Sequence, residues 1–529
     1  MMKKRFGGFE VNGKPFFPLG AQSHNSSSYD AEMFREAVRS ALAINCNTIE
    51  APVYWEKIEP EEGVFEFSMV KNMVEICREN DLKLIILWFA SWKNGEMSYC
   101  PEYIKRDTAR FQRVIGADGV PVTDLSVHYV ANREADANAF TKLITYIRTI
   151  DEAQHTILAV QVENEPGYLR TDRDYTPSAI KNQNANVPAD LLAYLQTHQH
   201  GAPYRDWEKH GFEKEQDWFT TFGIYGYEYC EAWHLAHYVD SVAAAGKAVY
   251  DIPMYINVWL TGDVNWIVPG LEYPGGGAVE RTLDVWLCAV QHLDMIAPDI
   301  YERNSYRFQH ICDVYGRDHN ALFVPESSRA LHGACNMFYA IASGAVGYAC
   351  FGVEDALDKN GEITDECRAI ADSNAVVRNA MPLILKHRNT GGMHSVLQHD
   401  GETSRSYEFD HYIGCVQFSG GNHARRTDYH TRRNPGTMEM QAPRGLIFED
   451  DPKTFFLAGN YHLRMVEKSS PAWGRLDRYM PMVDCIAVEE GIFNEKGIFH
   501  VTRIRNGDEV IFGGFWVTPA CGIVRVRLL

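Results

Sequence analysis

The chain has 529 residues, of which 45% are hydrophobic and 23% are charged, a balance typical of folded globular proteins. Its 51 lysines and arginines against 70 aspartates and glutamates give a net charge of −19. A surface this acidic repels nucleic acids and anionic membranes, so we expect neither as a partner, and a neutral substrate fits better than a phosphorylated one.

The sequence shows no targeting or membrane segment. The N-terminal Met-Met-Lys-Lys-Arg is not followed by an apolar stretch, and no apolar run of 18 residues occurs in the chain. We therefore expect neither a secretory signal nor a membrane span. The twelve cysteines are scattered singly, without a CxxC pair. This pattern indicates reduced thiols and a cytoplasmic location, and we expect no metal ion and no cofactor.

The first 385 or so residues predict a (β/α)8 TIM barrel. Short runs that are apolar almost throughout, as in parallel strands buried on both faces, alternate with helical stretches in the order that such a barrel requires. Helices are predicted over 29–44, 135–150 and 337–345. The eight predicted strands are 16–22, 47–54, 82–89, 157–163, 254–259, 295–301, 322–326 and 347–352.

The rest of the chain predicts an insertion and a second domain. Residues 169–218 are polar and rich in Asp, Asn, Gln and His, which indicates an insertion after the fourth strand, on the rim of the active site. Beyond about residue 385, β-like runs alternate with turn clusters at 420–422 and 506–508. We predict a catalytic barrel over 1–385 and an antiparallel, β-sandwich-like domain over 386–529. The β-like runs are 413–418, 455–457, 498–504 and 510–516.

The end of the fourth predicted strand carries the strongest catalytic signal. There the apolar run leads directly into Glu163-Asn164-Glu165, and burying carboxylates is costly. Because the carboxyl ends of barrel strands face the active-site mouth, these side chains are expected there. Alternation puts Glu163 and Glu165 on one side of the strand unless the chain bends, and Pro166 follows at once. The alternative is a strand end whose polar residues meet solvent.

The seventh predicted strand ends in a single carboxylate, Glu326. Strands four and seven face one another across the mouth of a barrel, so Glu165 and Glu326 can flank one glycosidic bond. Hydrolysis of a β-glycoside with retention needs two carboxyl groups about 5–5.5 Å apart, one as acid/base and one as nucleophile. The two strand ends therefore predict a retaining glycosidase.

Three stretches carry a family resemblance. They are Gln-Val-Glu-Asn-Glu-Pro-Gly at 161–167, the Trp, Glu-Pro, Gly and Phe positions within 47–67, and Met-Tyr-Ile-Asn-Val-Trp-Leu at 254–260 with the Gly-rich loop 273–277. The chain resembles glycoside hydrolase family 35 β-galactosidases, within the clan A retaining glycosidases that include the related family 42. Bacterial members with a small C-terminal β-domain form the most similar group. The resemblance implies that Glu165 is the acid/base and Glu326 the nucleophile.

This resemblance implies a retaining, exo-acting β-galactosidase that removes terminal non-reducing β-D-galactosyl residues from an oligosaccharide by double displacement. Asn164 is expected to bind the sugar 2-hydroxyl group. Tyr301, at the end of strand six, is expected to donate to Glu326. The sequence departs from the family pattern at residues 88–99, which differ from the glutamate-containing galactose-binding segment of many family 35 members. This difference weakens the inference of sugar specificity from the family more than the inference of mechanism.

Further substrate-binding candidates lie at or near strand ends. The aromatic residues are candidate sugar platforms, although core packing is the favoured explanation for each of them alone. For His24, a structural role is as good an explanation as contact with substrate. The candidates are Tyr54, Trp88, Trp92, Trp259, Asn257 and His24.

Several alternatives stay open. The substrate can instead be a β-glucoside, xyloside or arabinoside, and a barrel that binds sugar without catalysis is a rival of another class.

His198 and His200 are spaced as metal ligands, but a solvated loop is favoured because no cysteine or carboxylate accompanies them. The arginines at 425, 426, 432 and 433 indicate a surface loop rather than a nucleic-acid site. The β-domain is a candidate surface for homo-oligomer formation.

Overall fold

The computed structural model describes residues 6–262, 268–418, 442–469, 483–494, 496–511 and 514–529. Its first part contains eleven strands among the described residues. They are β1 (Phe9–Val11), β2 (Lys14–Phe16), β3 (Leu19–Gln22), β4 (Thr48–Tyr54), β5 (Lys83–Lys93), β6 (Arg113–Ile115), β7 (Pro121–Leu125), β8 (Ile157–Asn164), β9 (Met254–Trp259), β10 (Met295–Asp299) and β11 (Tyr348–Phe351).

Seven of these strands form one parallel sheet, in the order β10-β9-β8-β5-β4-β3-β11. Its two ends are joined by residues 322–327, which make parallel bridges to both edges, Ile300 to Ser327 and Val324 to Tyr348. The amide of Ile300 donates to the carbonyl of Glu326 over 2.8 Å, and the amide of Ala349 donates to Val324 over 2.8 Å. This segment occupies the place of the seventh strand and closes the barrel, which confirms the predicted fold class.

Helices cover the outside of the barrel. Acidic and amide side chains begin some of them: Asp30 accepts from two amides of the first turn of α1, and Asn304 does the same at α12. The helices are α1 (Ala31–Ala43), α2 (Trp55–Ile58), α3 (Ser68–Glu79), α4 (Glu102–Arg106), α5 (Val130–Asp151), α6 (Pro177–Gln183), α7 (Ala189–Thr197), α8 (Ala202–Lys209), α9 (Trp218–Phe222), α10 (Gly226–Lys247), α11 (Leu283–Ala289), α12 (Ser305–Tyr315), α13 (Leu331–Ala342), α14 (Asp365–His387) and α15 (Asp508–Ile511).

The C-terminal part is an antiparallel β-structure, as predicted. Its longest strand, β16, pairs with β15 and β20 through its first half and with β14 and β19 through its second half. Gly459 lies between the halves at φ 138°, where an added Cβ would collide with the backbone of Arg444. The strands are β12 (Met393–Leu397), β13 (Ser404–Glu408), β14 (Tyr412–Gln417), β15 (Arg444–Asp451), β16 (Thr454–Glu467), β17 (Cys485–Phe493), β18 (Phe499–Arg505), β19 (Phe515–Val517) and β20 (Ile523–Leu528).

The two parts share one hydrophobic core. One face of the β-structure supplies Phe448, Phe456 and Ile523 to the same cluster of buried side chains as the barrel helices. The α13 and α14 helices lie against this face. The boundary predicted at 385/386 falls in the last turn of α14, which ends at His387.

Some expectations differ from the structure or lie outside it. The run 510–516, predicted as one strand, begins in α15, and only Phe515–Val517 forms a strand. The turn at 420–422 and the four arginines between 425 and 433 lie outside the described residues. Each of the twelve cysteines is a free thiol. In the described part of the chain, every helix is too short or too polar to span a lipid bilayer.

Candidate active site

A cavity of about 810 Å³ opens at the carboxyl ends of the barrel strands. Glu165 and Glu326, the two predicted catalytic residues, both line it, together with Tyr301 and Trp259. The loops that follow β5, β9 and β10 form its rim through Asn94, residues 260–262 and residues 302–304. The parallel barrel thus gathers residues that are distant in sequence, as expected of this fold.

The chain bends sharply where β8 ends. Glu163 and Glu165 both have left-handed backbone conformations, with φ of 64° and 48°, which non-glycine residues adopt at a cost. The bend separates the two carboxyl groups: Glu165 enters the cavity, whereas Glu163 accepts from the amide of Trp92 over 2.8 Å. Gly167 follows at φ 151°, where a Cβ would collide with Pro274. The sharp turn explains why alternation alone could not place these side chains.

Glu326 is held at both carboxylate oxygens. Gln22 donates from Nε2 to Oε1 over 2.9 Å, and Asn257 approaches the same oxygen at 3.4 Å. Tyr301 donates its hydroxyl to Oε2 over 2.9 Å, the contact that the sequence predicted. Hydrogen bonds to the charged form favour an ionised carboxylate, the state that a nucleophile needs.

The carboxyl groups of Glu165 and Glu326 lie close together, and Asp299 joins them. One carboxylate oxygen from each of the three lies within 4.8 Å of the other two. Retaining glycosidases place their two carboxyl groups about 5–5.5 Å apart, and inverting enzymes about 6.5–9.5 Å apart. An approach of single oxygens within 4.8 Å fits the shorter of these two separations.

The environment of Glu165 raises its pKa to about 7. Burial is the largest cause, and the negative charge of Glu326 is the second, while the ammonium group of Lys93 acts in the opposite direction. Glu165 also accepts from Nδ2 of Asn94 over 2.9 Å, and its amide donates to Asn257 over 2.9 Å. A carboxyl group with this pKa can both donate and accept a proton near neutral pH.

Asn164 lies at the end of β8 and is not among the described residues that line the cavity. It is fully buried, and its Oδ1 accepts from Nζ of Lys93 over 3.0 Å. Its Nδ2 has no hydrogen-bond partner among the described residues. A buried donor without a partner is costly, so this N–H is available for a ligand oxygen.

Metal binding is the other chemistry that clustered carboxylates suggest. Glu165, Asp299 and Glu326 each offer a carboxylate oxygen, the type of ligand that Mg²⁺ and Ca²⁺ bind together with waters. Lys93 already places a positive charge beside Glu165 and Asp299. The donor set of this cavity therefore suits proton transfer and does not identify a metal centre.

The structure brings only some of the predicted substrate-binding residues into the cavity: Trp259 and Tyr301 line it, whereas Asn257 and His24 are not among the described residues that do. Asn257 is fully buried. The ring of His24 contacts Asp355 at 3.1 Å and packs edge-on against Phe351, which lines the cavity.

Three predicted sugar platforms are instead core residues. Trp88 and Trp92 are completely buried, and the indole N–H of Trp88 donates to Asp136 over 3.0 Å. Tyr54 is completely buried between the stacked rings of Tyr29 and Tyr99. Because none of these rings exposes a face, the structure does not place them where a sugar could stack.

The insertion also differs from its expected position. None of the described residues that line the cavity comes from 169–218, and α7 and α8 lie beside α11 instead. His198 stacks on Tyr194, with ring centres 3.9 Å apart, and lies near His319. The described residues offer no carboxylate or cysteine to complete a metal set with His198.

Four polar residues in contact with the carboxyl cluster or its neighbours were not predicted as site residues from the sequence. Gln22, Lys93, Asn94 and Asp299 all end barrel strands or follow them directly. Their signal was the position itself, since a polar residue at the carboxyl end of a barrel strand points to the active site. For Asp299 this signal was masked because Tyr301, two residues later, was taken as the strand end.

Comparison with known proteins gives a family match for each part of the chain. Residues 23–188, which include Glu165, match the model of the glycoside hydrolase 42 family, described as β-galactosidase. Over these residues the barrel is similar to the β-galactosidases of that family. Residues 370–515 match a domain of unknown function, DUF5597. The matches support the clan and its family 42, whereas the specific assignment to family 35 receives no support from them.

The curated and structural relatives are distant. A β-galactosidase from Xanthomonas manihotis is 25% identical over 174 residues, which are 32% of this chain and 26% of that protein. The structure of a catalytic mutant of a GH42 β-galactosidase from G. stearothermophilus is 12% identical, covers 72% of this chain and 59% of that chain, and has a TM-score of 0.50. The chain thus matches less than two thirds of the length of either relative, and the structural likeness concerns the fold.

Proposed function

We propose that this protein is a retaining, exo-acting β-galactosidase that hydrolyses terminal non-reducing β-D-galactosyl residues by double displacement. The observation that carries the proposal is the close approach of the carboxyl groups of Glu165 and Glu326 in one cavity. The match of residues 23–188 to a β-galactosidase family supports the sugar class. Membership of family 35 in particular is a finer hypothesis that rests on the sequence motifs.

The environments of the two glutamates favour different roles. Glu326, which accepts from Gln22, Asn257 and Tyr301, is suited to attack the anomeric carbon as a carboxylate. Glu165 has its pKa raised to about 7 and is suited to protonate the leaving oxygen. It then removes a proton from the water that hydrolyses the glycosyl-enzyme. Two carboxyl groups with different proton affinities are what this mechanism needs.

We assign substrate contacts to side chains that line the cavity or that have an unpaired hydrogen-bond donor. Asn164 has a buried N–H without a partner, which supports a hydrogen bond to the 2-hydroxyl group. Trp259 is the predicted aromatic platform that lines the cavity. Exo action rests on the resemblance to β-galactosidases, since the 169–218 insertion does not enclose the cavity in the described part of the chain.

The test is a panel of nitrophenyl β-glycosides of galactose, glucose, xylose and arabinose. We expect the galactoside to be hydrolysed fastest and the first product, followed by NMR, to have the β configuration. Glu326→Ala should abolish turnover, and added azide should restore part of it as an inverted α-glycosyl azide. Glu75→Ala, at an exposed position of α3, is the matched control. A first product with the α configuration would contradict the retaining mechanism.

A cytoplasmic location and self-association remain proposals as well. Twelve free thiols support a reducing compartment. Light scattering of the purified protein tests whether it forms a homo-oligomer.

A further inference from the structure

Asp299 is a third carboxyl group in the catalytic cluster, and the two-glutamate mechanism gives it no role. It ends β10 and is only 4% exposed. Its Oδ2 accepts from Nδ2 of Asn257 over 2.7 Å. Its Oδ1 has no hydrogen-bond partner among the described residues. A buried carboxyl oxygen of this kind calls for a partner.

The carboxyl group of Glu165 lies in the same cluster, and oxygens of the two residues lie within 4.8 Å of each other and of Glu326. Ionised carboxylates can only accept hydrogen bonds, so a hydrogen bond between these two groups requires a proton on one of them. Two like charges side by side in a buried site repel, which also favours one retained proton.

We propose that Asp299 and Glu165 form a carboxyl pair that shares one proton, and that Asp299 is the positioning residue that controls how firmly Glu165 holds it. The inference rests on the proposed glycosidase function and deepens it. Asn257 organises the pair, because it accepts from the amide of Glu165 and donates to Asp299.

The shared proton has a role in both steps of the reaction. In the first step it passes from the pair to the leaving oxygen, and the carboxylate of Glu326 becomes a neutral ester. Both carboxyl groups of the pair are then ionised. The negative charge of Glu326 has been lost in the ester, and the negative charge of Asp299 now increases the proton affinity of Glu165. In the second step the attacking water returns one proton to the pair. Its oxygen bonds to the anomeric carbon, and Glu326 leaves as a carboxylate.

Other groups facing the pair are consistent with this behaviour. Burial raises the pKa of Asp299, and the charges of Glu326 and Glu165 raise it further, while Lys93 opposes them. The phenol groups of Tyr255 and Tyr301 lie near Asp299, and burial raises both pKa values, so both rings stay neutral. Lys93 is therefore the cation that limits how strongly the pair retains its proton.

The decisive variant is Asp299→Asn, which keeps the size of the side chain but removes its charge and its share of the proton. The amide donates to Glu165 and stabilises the carboxylate. We expect the alkaline limb of the kcat/KM profile to move to lower pH by about one unit or more. Asp372→Asn, at an exposed position of α14, should leave the profile unchanged. A uniform loss of rate with an unmoved alkaline limb would overturn the proposal.

A second measurement needs no substrate. Carbon-13 NMR of protein labelled at its carboxyl groups should show the titration of Glu165 at lower pH in Asp299→Asn than in the wild type. In the reverse variant, Glu165→Gln, the titration of Asp299 should likewise move to lower pH, and this variant decides the question if Asp299→Asn does not fold. An unmoved titration in both directions refutes the shared proton. If the wild type hydrolyses no glycoside, the proposed function fails, while these titrations still test the pair.

Discussion

Tyr301 and Glu326 are joined by a hydrogen bond of 2.9 Å from the phenol hydroxyl to Oε2 of the carboxylate. Gln22 holds the other oxygen, so the carboxylate plane is fixed from two sides. Tyr301 follows Ile300, which bridges to Ser327 in the segment that carries Glu326, and this pairing brings the two side chains together. This contact is therefore the most direct place to test how Glu326, the proposed nucleophile, is oriented.

Tyr301→Phe removes this hydroxyl group while preserving the ring. A hydrogen bond to a charged group contributes about 1.5–3 kcal/mol, so kcat/KM should fall roughly 10- to 100-fold. The measurement is steady-state hydrolysis of nitrophenyl galactoside, with circular dichroism to check folding. Tyr306→Phe, an exposed tyrosine on α12, is the control and should retain full activity. Equal rates for wild type and Tyr301→Phe would refute the orienting role.

Glu165→Ala should separate substrates by their leaving groups. Protonation by a positioned acid contributes about 10²–10⁴-fold, so hydrolysis of an alkyl galactoside should fall by this factor. Glycosylation by a dinitrophenyl galactoside needs no acid and should be preserved.

Since only protonated Glu165 can donate, wild-type kcat/KM should decline as pH rises through about 7, its raised pKa. This decline should vanish in the variant, and its persistence would assign the acid to another group.

Lys93→Met tests the cation beside the carboxyl pair. The ammonium group lowers the pKa of Glu165 by stabilising its carboxylate. Removing that charge should raise the pKa, keep the acid protonated to higher pH and move the alkaline limb upward by about one unit. This shift is opposite in sign to the one expected for Asp299→Asn. Lys71→Met, at an exposed position of α3, is the control. A downward shift for Lys93→Met would contradict the charge assignment.

Asn164→Ala tests the unpaired N–H at the strand end. If Nδ2 binds the sugar 2-hydroxyl group, a contact that strengthens in the transition state, kcat should fall by about 100-fold on a galactoside. With a 2-deoxygalactoside as substrate, wild type and variant should differ little. This substrate is the internal control, because a general distortion of the site would slow both reactions equally.

The sequence was sufficient for the fold and for the two central carboxylates. Buried parallel strands are nearly continuous apolar runs, and their polar ends are conspicuous, as at Glu165 and Glu326. The segment 322–327 shows where this reasoning stops, since it closes the barrel through bridges without forming a regular strand. The segment was predictable because it is the seventh of eight apolar runs along the chain, and its local geometry gave no such signal.

Side-chain environments were less predictable. Trp88 and Trp92 lie on the same strand end as Lys93, and only the three-dimensional structure shows that the rings are buried while Lys93 reaches the cavity. A strand pattern assigns residues to faces, but it does not say how the loop after the strand bends. Asp299 depended on a pairing with Glu165 across 134 residues, which no local pattern records.

The shared core of the barrel and the β-domain predicts that they unfold together. Phe448 is completely buried where β15 meets the α13 and α14 helices. Phe448→Ala leaves a cavity and should cost about 3–5 kcal/mol, because buried phenylalanines lose both transfer energy and contacts. Calorimetry should show one transition at lower temperature, with loss of galactosidase activity at the same temperature. Ile504→Ala, at an exposed position of β18, should shift the transition little. An early transition confined to the β-domain, with activity surviving it, would show that the barrel does not depend on this interface.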